Sequence, residues 1–336
     1  MTRFAWLLGV MGLVACGDKD DTGEGSAVED DGPAAEECLN LVSETFPATG
    51  TADAFYMTSV EFTLQTVEAD ATVTVTGPSG EVSGSSVVDG NRVLWTADAP
   101  LEASTAYEAN LNWSCEATTI AFTTSDVGSE VPATDLTGNV YSLPLTEGRF
   151  VEPEGLGEII GGLLDVSVLI EVTSATETDL EMMGALASET DPNAQDLCTE
   201  TIDFPAVADF SANPFFSVGP ADTLISVAGI DIAVDDLAIS GAFSPDGDRI
   251  AGAAFSGSID TRPLVELVGT GTEEDSVCAL VLGFGIECIA CSDGSGNFCL
   301  ALAVEDMTAE IVAGTDLVPV GPDDVESNPD CATTTP

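Results

Sequence analysis

The chain has 336 residues, 44% of them hydrophobic, and a formal net charge of −53 from 59 acidic residues against 6 Lys and Arg. That length and apolar content exclude a disordered protein and suffice for two domains with hydrophobic cores. With so few cations there is no basic patch, which argues against nucleic-acid partners. Histidine is absent, so Ser-His-Asp triads, Cys-His dyads and His-ligated metal sites are excluded. We therefore expect a protein that is not an enzyme.

The N-terminus has the layout of an export signal. One cation, Arg3, precedes an uncharged apolar run over residues 4–14. The run is shorter than the roughly 20 residues that a membrane-spanning helix needs, and its position is typical of a cleaved signal peptide. The alternatives are an ordinary signal peptide, with Cys16 an early cysteine, or a buried core helix.

The end of this run, Leu13-Val14-Ala15-Cys16, resembles the lipobox of bacterial lipoproteins. The resemblance implies that residues 1–15 are removed and that Cys16 carries the lipid. Two or more acyl chains hold a protein stably on a membrane. We therefore expect an exported protein of the cell envelope, anchored to a membrane through Cys16. Gly17 after the cysteine fits sorting to the outer membrane.

Residues 16–37 form a predicted disordered tether, because Gly, Ser and mutually repelling acids cannot bury a core. Five of its residues match positions of an EF-hand-like calcium loop: Asp18, Asp20, Thr22, Gly23 and Glu29. No helix can precede this loop, since the lipid anchor lies two residues upstream. We therefore assign no cofactor and no metal, and keep calcium-dependent adhesion or envelope structure as an alternative function.

Residues 38–126 predict a small all-β domain. Short runs rich in β-branched and aromatic residues alternate there with turn residues. The predicted strands are Val60–Leu64, Ala71–Thr76, Val82–Val88, Arg92–Thr96, Tyr107–Cys115 and Ile120–Thr124. In the fifth run the apolar side chains occupy every second position, which predicts that Cys115 points into the core beside Trp113.

The turn before the penultimate strand of this domain reads Pro-Leu-x-x-x-Thr-x-Tyr, with Pro100, Leu101, Thr105 and Tyr107. This turn and the order of the strands resemble the bacterial Ig-like domains of surface-layer and surface-anchored proteins. The resemblance covers about a quarter of the chain. It implies a β-sandwich that acts as a spacer or binding module and carries no catalytic residue.

Residues 127–135 predict a linker, residues 136–331 a second β-rich domain, and residues 332–336 a disordered tail. The clearest pattern, Leu224–Ile259, is a meander of at least three strands around the turn Ser244–Asp248. Further predicted elements are the strands Asn139–Leu145, Val166–Thr173, Asp179–Leu186 and Leu300–Val304 and the helices Pro153–Leu164 and Thr272–Ile286. We expect a barrel or sandwich with two or three short helices, which makes the whole chain mainly β.

The cysteine count is consistent with the lipobox. If Cys16 carries lipid, eight cysteines remain, an even number, and export makes disulfides the default. The candidates are Cys38, Cys115, Cys198, Cys278, Cys288, Cys291, Cys299 and Cys331. Cys115 is expected to pair with Cys38, the other cysteine near the first domain. The remaining connectivity cannot be deduced from the sequence.

The spacing Cys288-x-x-Cys291, between Cys278 and Cys299, also permits a four-thiolate zinc site or a redox-active pair. Disulfides are favoured, because Ser292–Phe298 contains a turn that a disulfide would staple. A thioredoxin-like redox motif would need a βαβ context, which the pattern lacks.

Three acidic pairs could serve a glycosidase-like hydrolase, which needs two carboxylates at a set separation. They are Asp235/Asp236, Asp246/Asp248 and Glu273/Glu274. With 59 acids in the chain such pairs arise by chance, so hydrolysis is only a second alternative. The favoured prediction is a membrane-anchored lipoprotein with a non-catalytic binding or structural role and an unknown protein or small-molecule ligand.

Overall fold

The computed structural model describes residues 40–115, 117–153, 167–188, 190–204, 207–227, 230–265 and 272–331. These residues are mainly β-strand and form two four-stranded sheets, a β-barrel and two short α-helices. The predicted fold class is therefore confirmed, and of the two architectures expected for the second domain the barrel is the one present. Within the described residues no helix is both long and apolar enough to cross a membrane.

The N-terminal strands form two antiparallel sheets, which we call the sandwich. The first sheet has the order β1-β2-β6-β5 and the second the order β4-β3-β7-β8. The strands are β1 Val42–Phe46, β2 Val60–Leu64, β3 Thr72–Gly77, β4 Gly80–Glu81, β5 Gly84–Asp89, β6 Arg92–Ala97, β7 Ala106–Asn112 and β8 Thr118–Thr123. Five of the six predicted strands agree with these bounds to within two residues.

The sandwich has one core because alternate residues of both sheets point inward. Phe62 and Trp95 from the first sheet and Val75, Leu111 and Phe122 from the second belong to the same buried cluster. All five are at most 2% exposed. Burying them from both sides is what holds the two sheets face to face.

The prediction for the end of the fifth run was wrong in its strand bound and in the burial of Cys115. Strand β7 ends at Asn112, and Trp113 and Cys115 lie beyond it, each only partly buried, although Trp113 still packs against the sandwich core. The reason is pairing. Asn112 lies opposite Thr72, the first residue of β3, and β8 begins at Thr118 opposite Leu111. Neither β3 nor β8 extends far enough to pair with the residues after Asn112. Apolar residues therefore still alternate there, but the backbone is not in a strand.

The C-terminal strands form an eleven-stranded sheet. The path β9-β11-β12-β15-β16-β17-β18-β19 closes on itself because β19 pairs with β9. Strands β10, β13 and β14 pair with members of this path. The bounds are β9 Val140–Pro144, β10 Arg149–Glu152, β11 Ser167–Ala175, β12 Asp179–Ser188, β13 Asp191–Gln195, β14 Ile202–Asp203, β15 Ala208–Ala212, β16 Phe215–Val227, β17 Ile230–Phe243, β18 Arg249–Asp260 and β19 Cys299–Ile311. We call this unit the barrel.

Side chains fill the interior of the barrel, as expected for a closed path of eight strands. Phe243 is fully buried, and its ring lies 5.6 Å from that of Tyr141, 5.9 Å from Phe210 and 5.1 Å from Phe216 between centroids. Burial raises the pKa of Tyr141 to about 12. The Tyr141 hydroxyl donates to the carbonyl of Gly247, 2.7 Å away, in the turn between β17 and β18. The described side chains thus form a packed core inside the barrel.

Two α-helices lie wholly within the described residues, α1 at Ser276–Leu282 and α2 at Pro322–Ser327, and two short 3-10 helices lie at Ala133–Asp135 and Leu145–Glu147. Helix α1 lies inside the predicted helix Thr272–Ile286. Helix α2 was not predicted, although Pro322 at its start and two acids in its first turn are typical of a helix N-terminus. The predicted helix Pro153–Leu164 falls almost entirely on residues 154–166, outside the described residues.

The segment between the sandwich and the barrel is fixed by two buried residues. Val127 is fully buried with Tyr56 of the sandwich and Ala251 of the barrel. Val131 is buried in the barrel core, and the side-chain amide of Asn213 bonds its N–H and its carbonyl, each at 2.9 Å. The predicted linker is therefore held at Val127 and Val131, while most of its other residues are exposed.

An ion-pair network also joins the sandwich and the barrel. The Glu61 carboxylate, on β2, accepts two hydrogen bonds from Arg92 at 2.7 and 2.6 Å. It accepts a third, at 3.2 Å, from Arg149 on β10, which also pairs with Glu305 at 2.9 Å. The Arg149 guanidinium lies 4.2 Å from the ring centroid of Phe46. The sandwich and the barrel thus share one buried carboxylate.

Candidate functional site: a groove on the outside of the barrel

A groove of about 650 Å³ runs along the outer surface of the barrel. One wall is β13 and the residues after it, and the other is the end of β19 and the segment that follows. The lining residues are Asp191, Asn193, Ala194, Gln195, Leu197, Ile311, Val312, Ala313, Gly314, Thr315, Asp316 and Val318. Its volume lies in the range typical of ligand sites, and it is open to solvent along its length.

The two walls are bonded to each other. The side-chain amide of Gln195 donates to the carbonyl of Val318 at 2.8 Å and accepts from its N–H at 2.9 Å. The Thr315 hydroxyl donates to the carbonyl of Asn193 at 3.3 Å. The Gln195 side chain thus pairs with the backbone of Val318 as a neighbouring strand would. These bonds hold the two walls at a fixed distance although the walls are not paired as strands.

The second wall continues as residues 312–331, which we call the strap. Leu317 is buried against Val140, Leu169 and Met183 on the outer face of the barrel. The Glu171 carboxylate accepts the N–H of Leu317 at 2.8 Å. This packing gives the barrel a second apolar layer, on its outside, and fixes the strap that forms the wall.

A disulfide closes the strap at its end. Cys198, which follows the first wall, is bonded to Cys331. Thr201 also exchanges hydrogen bonds with Val320, whose carbonyl accepts the Thr201 N–H at 3.0 Å. The two walls are therefore joined by hydrogen bonds within the groove lining and by a disulfide beyond it.

The groove combines aliphatic and acidic side chains. Leu197, Ile311 and Val318 are 47%, 39% and 50% exposed, and they come from three separate segments. Asp191 and Asp316 supply two exposed carboxylates. Among the residues that the structure describes, neither an aromatic nor a basic one belongs to the lining.

The cysteines of the region Cys278–Cys299 form disulfides, as favoured. Cys278 pairs with Cys288 and Cys291 with Cys299, so the second bond staples the predicted turn over Ser292–Phe298. The sulfurs of Cys291 and Cys299 lie within 4.8 Å of a carboxylate oxygen of Asp260. Because those two sulfurs are bonded to each other, they are not thiolates, and the three residues do not make a metal site.

An arginine just after the end of β18 contacts the turn that the second disulfide closes. Arg262 donates to the carboxylates of Asp260 at 2.6 Å and Asp293 at 3.0 Å, and its guanidinium lies 5.4 Å from the ring centroid of Phe298. Hydrogen bonds from Ser295, and then the Arg262 contact, lower the pKa of Asp293 to about 2. These bonds hold the turn and leave both carboxylates engaged.

The three acidic pairs proposed for hydrolysis lie away from the groove. Asp235 accepts the N–H of Ser292, and the N–H of its neighbour Asp236 is bonded to Asp222. Asp246 and Asp248 belong to the turn between β17 and β18, where the Ser244 hydroxyl donates to Asp248 at 2.8 Å. Hydrogen bonding within this turn also lowers the pKa of Asp246.

The remaining pair, Glu273 and Glu274, precedes helix α1. Like the other two pairs, it does not belong to the groove lining.

Cys16, Cys38 and the calcium-loop match in the tether all lie outside the described residues. Cys115 is disulfide-bonded, and its pairing with Cys38 stays a prediction. All seven described cysteines are thus engaged in disulfides: Cys115, Cys198, Cys278, Cys288, Cys291, Cys299 and Cys331.

Comparison with known proteins returned no relative: no family model matches the chain, and no curated protein matches it.

Proposed function

We propose that the chain is an exported lipoprotein, held to the outer membrane by lipid on Cys16, with a non-catalytic binding or structural role in the cell envelope. The observation that carries the proposal is the state of its thiols. Every cysteine among the described residues is in a disulfide. Disulfides persist in oxidising compartments and are rare in the cytosol.

The thiol count also supports lipid on Cys16. Three disulfides join six of the cysteines, and Cys115 is in a fourth. With Cys38 as the predicted partner of Cys115, Cys16 is the one thiol left for modification. The lipobox at Leu13–Cys16 names the same residue from sequence alone.

For the sandwich we propose an Ig-like spacer. Its two sheets have the order of the A-B-E-D and C-F-G strands of immunoglobulin domains, with one added strand at the edge of the second sheet. The Tyr107 hydroxyl accepts the N–H of Glu102 at 2.9 Å, five residues upstream. This bond is typical of the tyrosine corner of such domains, and Tyr107 closes the turn motif that carried the resemblance.

For the barrel we propose the binding role, with the groove as its site. Supporting this choice, the barrel interior is filled with side chains and the groove is an outer depression with exposed aliphatic residues. Exposed apolar side chains at a concave site are typical of binding surfaces.

The anchor is tested by detergent partition. Mature wild-type protein is expected in the detergent phase, and the Cys16→Ser variant in the aqueous phase, because two or more acyl chains are what give stable partition. The matched control is Ser26→Ala in the tether, which leaves the lipobox intact and should partition like the wild type. Aqueous partition of the wild type, or unchanged partition of Cys16→Ser, would contradict the proposal.

A further inference from the structure

We infer that the groove binds an extended peptide segment that carries both aliphatic and cationic side chains. The inference deepens the proposed binding role of the barrel and rests on it. It follows from the shape, the apolar surface, the charge and the missing residue types of the groove.

The aliphatic requirement comes from Leu197, Ile311 and Val318. Their side chains are between 39% and 50% exposed; Leu197 belongs to one wall of the groove, and Ile311 and Val318 belong to the other. Covering such surface is favourable by about 25 cal/mol per Å². A ligand must therefore bring apolar groups spaced along the groove.

The cationic requirement comes from charge complementarity. Asp191 and Asp316 line the groove, its described lining holds no Lys or Arg, and the chain as a whole carries −53. Such a field repels anionic ligands and attracts cationic ones. Phosphorylated, nucleic-acid and other acidic partners are thereby disfavoured.

A peptide is favoured over a sugar because no aromatic residue is found in the described part of the lining. Sugars and bases usually rest on aromatic platforms, which aliphatic side chains cannot replace. The side-chain amide of Asn193 instead offers a donor and an acceptor of the kind that a peptide backbone uses, and the Thr315 hydroxyl, which donates to the Asn193 carbonyl, can still accept.

The groove is also held ready for a ligand. The Gln195–Val318 bonds and the Cys198–Cys331 disulfide fix both walls. A preformed site loses little conformational freedom on binding. An open, preformed groove suits a segment that lies along it rather than a molecule that must be enclosed.

The experiment measures fluorescence anisotropy of a labelled Lys-Val-Lys-Val-Lys-Val peptide with the mature protein in non-ionic detergent. The cationic peptide is expected to bind, its Glu-Val analogue is not, and binding should weaken as salt rises from about 50 to about 500 mM because salt screens the charges. No binding of the cationic peptide would overturn the inference.

Two matched pairs of variants separate the groove from general attraction to an acidic surface. Leu197→Ser should weaken binding about fivefold through lost apolar contact, whereas Leu282→Ser, at an exposed residue of α1, should leave it unchanged. Asp191→Asn with Asp316→Asn should weaken binding about tenfold. Asp70→Asn with Asp98→Asn, on the sandwich, removes the same charge and should have little effect.

The Asp191→Asn change is chosen to spare the fold. Asp191 accepts the N–H of Asn193 at 3.0 Å, and an Asn side chain can accept the same bond. Equal losses in a groove pair and its control would overturn the inference. Detergent partition is independent of the groove, so failed binding with intact partition counts against the groove alone.

Discussion

The sandwich and the barrel bury their sheets in different ways. The sandwich closes by laying two sheets face to face, and its core is a single cluster of alternating residues. The barrel closes by pairing β19 with β9, packs aromatic rings inside, and adds a second apolar layer outside under the strap.

The outer surfaces of the two parts also differ. Each sheet of the sandwich packs one face on the core and turns the other to solvent, and a depression of about 410 Å³ lies beside Tyr107 and Phe122. On the barrel, the strap crosses the outer face without full strand pairing, and the groove opens beside it. The three disulfides with both cysteines described all belong to the barrel and its strap. Variants that remove one contact at a time should show whether the sandwich and the barrel are stabilised in these different ways.

The largest effect is expected at the strap. Removing the bond between Cys198 and Cys331 with a double Ser variant frees a separation of 133 residues, and loop-closure entropy predicts a loss of about 5 kcal/mol. The matched double variant at Cys291 and Cys299, 8 residues apart, should lose about 2.5 kcal/mol. Urea unfolding followed by circular dichroism measures both. Equal losses would show that chain entropy does not explain the role of the strap.

The next effect concerns the aromatic core of the barrel. Phe243→Ala removes a fully buried ring that contacts three others, and it should lower the free energy of unfolding by about 4 kcal/mol. The control is Phe284→Ala, because that ring is 58% exposed and its loss should change stability by about 0.5 kcal/mol or less. A small loss at Phe243 would contradict the packed interior.

A smaller effect is expected at the junction. Glu61→Gln breaks the charge shared by Arg92 and Arg149, and should cost about 2 kcal/mol, less than a fully buried pair because both arginines keep access to water. The control Glu305→Gln removes an exposed partner, 48% accessible, and should cost about 0.5 kcal/mol or less. Fluorescence of Trp95 and Trp113 follows the sandwich separately from the whole chain.

The same variant has a pH signature. Burial would raise the pKa of Glu61, but the hydrogen bonds and charges of Arg92 and Arg149 outweigh it and hold the pKa below its ordinary value of 4.5. A group with a lowered pKa stabilises the fold above its unfolded pKa and loses that contribution as the pH falls through the folded one. The stability difference between wild type and Glu61→Gln should thus be full at neutral pH and shrink below pH 4.5. A difference independent of pH would refute the ion-pair account.

The smallest effect belongs to the sandwich alone. Tyr107→Phe deletes the hydroxyl that accepts the Glu102 N–H, and should cost about 1 kcal/mol. Urea unfolding monitored by tryptophan fluorescence measures it. Unchanged stability would mean that water replaces the hydroxyl, and would weaken the support that this bond lends to the Ig-like proposal.

Local pattern alone predicted most of the strands. The alternation of apolar and polar residues in Val60–Leu64 and in the meander around Ser244–Asp248 is visible because successive side chains of a strand point to opposite faces of the sheet. The same rule failed at Trp113 and Cys115, since apolar alternation does not report whether a neighbouring strand extends far enough to pair. Strands such as Val42–Phe46 and Asp191–Gln195 have no such pattern and were missed.

What the sequence by itself determined is the mainly β fold, the preference for disulfides and the excluded chemistries, because these depend on composition and local spacing. Only the tertiary structure decided that the second domain closes into a barrel, which cysteines pair, and where the groove lies. Gln195 and Val318 are 123 residues apart, Glu171 and Leu317 are 146 apart, and no local pattern records such partners. The groove exists because these distant segments meet, and so its residues carried no signal of their own.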